Sequence, residues 1–180
     1  MLKRIILIVT AVFFFVQIIH FSEHIAQVLA WLFVQQEKPY MTPFGMWCMH
    51  TLGMLMFPNV ESARQAMLGL EFLHLIGNGI FALGILGLFF FVHTKKVMWA
   101  LIIEIFHFYE HVSLTFSALF IGKPIGMSTF FGADVSPWLR VSYRVWWHFL
   151  FNLIPTVLVS LAICEIWGFC TSRRSAAPIK

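Results

Sequence analysis

Four long apolar stretches dominate the sequence: Ile5–Val34, Met67–Val92, Val97–Ile121 and Val141–Trp167. A helix needs about 20 apolar residues to cross a bilayer, and each stretch reaches or exceeds that length. The chain of 180 residues is 60% hydrophobic and only 11% charged, against roughly 45–50% and about 25% in a soluble domain. A soluble enzyme, a nucleic-acid module and a disordered tail are all excluded. The net charge of +4 is no nucleic-acid footprint, because the basic residues sit where membrane topology places them.

The opening Met1-Leu2-Lys3-Arg4 and the apolar run behind it look like the start of a signal peptide. No small-x-small cleavage pattern follows and the run continues to Val34, so the expectation is an uncleaved first span. Cys48, Cys164 and Cys170 form neither an even set nor a CxxC pair, which argues against a disulfide framework and a zinc ribbon.

Basic residues orient the spans. Lys3, Arg4, Lys95, Lys96, Arg173, Arg174 and Lys180 gather on one side, with no acid counted among them. Lys38, Arg64, Lys123, Arg140 and Arg144 lie on the other, diluted by Glu37, Glu61 and Asp134. Both termini are therefore expected in the cytoplasm, and both long connections outside. Phe44–Phe57, apolar and bounded by Pro43 and Pro58, is too short to span and suits a re-entrant or interfacial segment.

The chain also repeats itself. His20-Phe21-Ser22-Glu23-His24 returns as His107-Phe108-Tyr109-Glu110-His111; Lys38-Pro39 returns as Lys123-Pro124; His74 and Asn78 return as His148 and Asn152. The order is kept in both halves. The expected architecture is an all-α, four-helix membrane bundle made from two duplicated hairpins, with a pseudo-twofold axis along the membrane normal. Residues 1–180 form a single membrane domain, with hairpins at 5–92 and 97–167 and a flexible cytoplasmic tail at 171–180.

Residues at i, i+3 and i+4 share a helix face. His20, Glu23 and His24 therefore lie on one face, and His107, Glu110 and His111 on another with Glu104. His74 shares a face with Asn78, and His148 with Asn152. His24 and His111 lie about ten residues, or roughly 15 Å, inside their outer helix ends. The other two histidines and the asparagines fall roughly 10–17 Å deep. All four helices bring polar groups to one level, which a single shared site explains. Ionisable residues in hydrocarbon cost about 2.5 kcal/mol or more and need a partner. With no deep Lys or Arg in view, a bound cation is the expected partner.

The metal ligands expected are His20, Glu23, His24, His74, His107, Glu110, His111 and His148. Glu71, Asn78, Glu104 and Asn152 are expected to support the cofactor, the asparagines by orienting ligand imidazoles. His93, beside the short inner connection, is expected to take no part. HxxEH also matches the inverted zinc-peptidase motif, but a protease has no use for two copies. Glu71-x-x-His74 and Glu104-x-x-His107 resemble the ExxH pairs of carboxylate-bridged di-iron bundles; His148 and Asn152 of the fourth helix depart from that plan. The His-rich set is similar in composition to membrane di-iron hydroxylases, whose His boxes are not reproduced.

Imidazole with carboxylate points to iron ahead of zinc or copper. Haem b, held by His24 and His111 or by His74 and His148, is the alternative cofactor. The outer run Met46-Trp47-Cys48-Met49-His50, with Met41, Met54 and Met56, adds soft ligands suited to copper, although Met also fills irregular packing. The function expected is redox chemistry at a dinuclear non-haem centre, on a lipid-soluble substrate or membrane electron carrier reached directly from the bilayer. The small-residue stretch Gly77–Gly87 offers a gap for it. A metal or proton transporter and an accessory subunit of a larger membrane complex are the other classes. The apolar inner stretches Ile5–Val16 and Ile80–Val92 count against transport.

Overall fold

The computed structural model describes residues 2–34, 39–131 and 135–166. Glu37, Lys38 and Asp134, the end of the fourth stretch at Trp167, Cys170 and the tail 171–180 lie outside the described residues. The described chain is all-helical: α1 (Leu2–Val34), α2 (Pro43–Met56), α3 (Ser62–Phe89), α4 (Lys95–Ile121), a single 3₁₀ turn (Met127–Thr129) and α5 (Pro137–Ile166). Four of the five described helices, all but α2, are long and apolar enough to cross a membrane, as a multi-pass membrane protein requires.

Local chemistry sets the boundaries. Thr42 caps α2 by accepting from the Gly45 N–H at 3.1 Å, and Pro43 occupies the first turn, where no N–H is needed. Thr94 caps α4. At its other end Gly122 takes φ 81°, the left-handed conformation that stops the helix with no Cβ penalty. Pro155 lies inside α5 and removes one donor from its backbone ladder.

Each long helix has two neighbours in the ring: α1 packs on α3 and α5, and α4 packs on the same two. Helix α2 lies against α3. Their backbones touch because Gly69 and Gly53 face each other; a Cβ on Gly69 would run into the Met49 carbonyl. The segment 44–57 is thus a helix folded back onto α3.

Polarity is inverted relative to a soluble bundle. Phe15, Phe33, Trp99, Ile105 and Phe120 are exposed on the outside, while Gln17, Asn78, Glu104, His107 and His111 are buried. Two apolar plugs bracket the polar layer. Phe81, Ile85, Val97 and Val159 belong to the one at the end where α3 turns into α4, and Val28, Trp31, Val141 and Val145 form the other. At the α3–α4 end Lys96 meets Glu165 at 2.7 Å, so an acid does stand among the basic residues counted there.

Candidate metal centre

The six histidines of the repeated motifs converge between the plugs as two triads: His20, His24 and His74, and His107, His111 and His148. Within each triad one ligand atom per residue lies within 4.8 Å of the others. The triads touch. His74 stacks on His111 with ring centroids 5.2 Å apart, and His24 lies 5.8 Å from His148.

The helix supplies the first pair in each triad. His20 and His24, one turn apart, bring their Nε2 atoms to 3.2 Å, and His107 and His111 bring theirs to 3.1 Å. Two nitrogens bound about 2.1 Å from one metal ion stand ~3.0 Å apart in octahedral geometry and ~3.4 Å apart in tetrahedral geometry. Both pairs fall within that interval.

Tautomers follow from the partners of Nδ1. His74 Nδ1 lies 2.8 Å from the Leu70 carbonyl and His148 Nδ1 lies 3.0 Å from the Arg144 carbonyl, each four residues back. A carbonyl only accepts, so Nδ1 carries the proton and Nε2 keeps its lone pair. His24 Nδ1 meets the Gln27 side-chain oxygen at 3.0 Å with the same result. These are the outer hydrogen bonds that orient metal-bound imidazoles. Nδ1 of His107 and of His111 is buried without a partner.

The carboxylates sit elsewhere. Glu23 accepts from the Thr42 backbone N–H at 2.6 Å and the Thr42 hydroxyl at 2.5 Å. Glu110 accepts from the N–H groups of Met127 and Ser128 at 2.8 and 2.7 Å. A glycine makes room each time: a Cβ on Gly45 would come within 2.9 Å of Glu23, and one on Gly126 within 2.7 Å of Glu110. Both glutamates expected as ligands thus hold the connections that follow α1 and α4. Glu71 is ion-paired with Arg144 at 2.8 Å, so the expectation of acids without basic neighbours does not hold for it. Glu104 is fully buried, and neither oxygen has a partner.

Asn78 and Asn152 donate to the backbone carbonyls of His74 and His148, at 2.9 and 2.8 Å, and so brace the helix below each histidine, not the imidazole itself. The Asn152 side-chain oxygen accepts from Gln17 at 2.8 Å; that of Asn78 is buried and unpartnered. His93 is exposed beside Phe89, away from the cluster. Of the soft outer donors, Met46, Met54, Met56 and His50 are exposed, while Met41 and Cys48 line a cavity between α1, α2 and α3.

The parts played by Gln27, Thr42 and Gly126 escaped the sequence reading, and Arg144 was read only as a basic residue that orients the spans. For two of them a signal exists: each Lys-Pro pair is followed within a few residues by Gly and by Thr or Ser, the parts of a carboxylate clamp. Nothing in the local sequence links Glu71 to Arg144.

Residues 1–175 match the model of DUF6008, a family of unknown function, and the chain belongs to that family. No curated protein and no solved structure matches it.

Proposed function

We propose that this DUF6008 protein is a membrane-embedded metalloprotein whose two histidine triads hold a pair of metal ions for redox chemistry on a lipid-soluble substrate or electron carrier. The observation that carries the reading is the pair of Nε2···Nε2 separations, 3.2 and 3.1 Å, inside buried triads that touch each other. Without a shared ion, each pair closes as an Nε2–H···Nε2 hydrogen bond between neutral imidazoles of opposite tautomer, and metal content separates the two states.

The matching contacts in the two halves support the duplication: the Nε2 pairs, the backbone-held Nδ1 atoms, the asparagine braces and the glutamate clamps. The apolar exterior supports insertion of the four long helices, and the Lys/Arg distribution supports cytoplasmic termini. The plug around Phe81 and Ile85 speaks against a polar path across the bilayer, and so against transport. The metal follows from the donors. Iron leads when carboxylates count among the ligands; with imidazoles alone copper and zinc fit equally, and redox work narrows the choice to iron or copper. Tightly nested rings, with centroids 4.8–5.9 Å apart, favour ions over a haem, which needs a macrocycle-wide slot between its axial histidines.

Elemental analysis of protein purified without chelators tests the reading. Close to two equivalents of iron or copper per chain are expected. A Soret band assigns haem instead, and a protein with no stoichiometric metal or haem is an accessory subunit with a hydrogen-bonded histidine core.

A further inference from the structure

The two triads are closed off differently. Gly77 and Phe151 hold the same place in their halves, three residues after His74 and His148. Phe151 sets its ring 5.5 Å from His107 and stacks on Trp147 at 4.7 Å, filling the space beside the second triad. Gly77 has no side chain, and a Cβ there would lie 3.5 Å from Nδ1 of His20. Where one half has a phenyl ring, the other has a cavity of about 420 Å³ between α1, α2 and α3 that reaches His20 and His74.

The cavity opens sideways. Val16, Ile19, Ile76 and Ile80 line it, and Ile19 and Ile76 are exposed on the outer surface of the bundle. Further along α3 the gap closes, because Gly84 and Gly87 rest against Phe13 and Thr10 of α1. Only the first part of the small-residue stretch is therefore open. His20 is the one histidine of the six that is not fully buried. His148 shares a smaller cavity of about 170 Å³ with His24 and His74, while His107 and His111 line neither cavity.

We propose that this cavity is the binding site of a lipid-soluble molecule, an apolar chain with an oxygen-bearing head, which enters from the hydrocarbon and presents its head to His20. Its volume falls within the roughly 300–1,000 Å³ of small-molecule sites, and its lining is apolar with a few polar groups at one end, as such sites require. Phe151 fills the matching space beside His107, so this site has no second copy there. What the head meets rests on the metal-centre reading; occupancy of the cavity does not.

Photolabelling in nanodiscs tests this with a long-chain alcohol carrying a diazirine in its chain. Adducts located by mass spectrometry are expected to concentrate on residues 16–27, 41–48 and 73–80. Gly77→Phe should reduce them several-fold, and Phe151→Gly should create new adducts beside His107, with metal content unchanged in both. Ile80→Trp fills the cavity from the next turn of α3 and replaces Gly77→Phe if that variant does not fold. The same diazirine on a phosphatidylcholine acyl chain should label the outer surface; equal labelling of the cavity assigns it to bilayer lipid and overturns the proposal. So does labelling spread evenly over the exposed helix faces, or left unchanged by both cavity-filling variants. Protein that lacks metal but labels in the cavity defeats the metal centre and leaves the binding site standing, so the two failures are distinguishable.

Discussion

Arg144 of α5 donates to Glu71 of α3 at 2.8 Å, with the carboxylate side chain 2% exposed and the arginine 26%. The pair ties two helices together directly beside the histidines, since Arg144 also gives its backbone carbonyl to His148. Removing one partner of a buried pair leaves an uncompensated charge, at a cost of about 3–5 kcal/mol. Arg144→Met should destabilise the bundle on that scale, and Glu71→Gln with Arg144→Met should recover most of the loss. Resistance to unfolding in graded detergent mixtures measures both; an unaffected single variant contradicts the pair's role.

His24→Ala and His111→Ala should each remove about one metal equivalent and leave the protein folded in the membrane, whereas His93→Ala should remove none. Metal ligation needs neutral imidazole, so protons compete with the ion and binding weakens as pH falls. Metal content after dialysis across a pH series checks the direction. Retention at low pH with loss at high pH would contradict imidazole ligation.

Glu23 and Glu110 separate two roles that composition cannot. As clamps they hold Thr42 and the Met127–Ser128 turn; as ligands they would hold metal. Glu110→Gln should cost about 1.5–3 kcal/mol, the range for hydrogen bonds to a charged group. It should also speed amide exchange at Met127 and Ser128 while metal content stays constant. Loss of metal in both Glu23→Gln and Glu110→Gln returns the carboxylates to the ligand shell.

Glu104 is a buried carboxylate with two unpartnered oxygens, one turn from His107 on the same helix. Its counterpart in the first half is Gln17. If its charge balances the metal pair through space, Glu104→Gln should weaken metal binding. The metal-free variant should melt no lower than the metal-free wild type, because a partnerless buried acid has been removed. Competition with a chelator and thermal scans of both forms give the two numbers.

Gly69→Ala places a methyl group against the Met49 carbonyl and within 2.8 Å of the Gly53 nitrogen. Backbone cannot step aside as a side-chain tip does, and overpacking of this kind costs about 1–3 kcal/mol. Helix α2 should part from α3, seen as faster exchange over residues 43–56 with the four long helices protected. The cavity beside His20 should lose its α2 wall, and with it the diazirine labelling.

The four long helices, a segment at 44–57 too short to span, and the convergence of six histidines were legible in the sequence. Each rests on one-dimensional information: run length against bilayer thickness, and a spacing of three or four residues that puts groups on one helix face. The repeat made the histidines readable, because His20/His24 and His107/His111 recur in the same pattern with His74 and His148 following. Which side chains fill the space around them was decided only by the fold. Glu23 and Glu110 share a face with the histidines, yet each meets donors that arrive from a connection folded back over the helix. Arg144 reaches Glu71 across 73 residues of chain. Helix periodicity sets the direction in which a side chain leaves its own axis; what it meets there depends on the crossing of a second helix, and no local pattern encodes that. The open and plugged triads show the same division, because Gly77 and Phe151 matter only through the space each leaves or fills against a histidine on another helix.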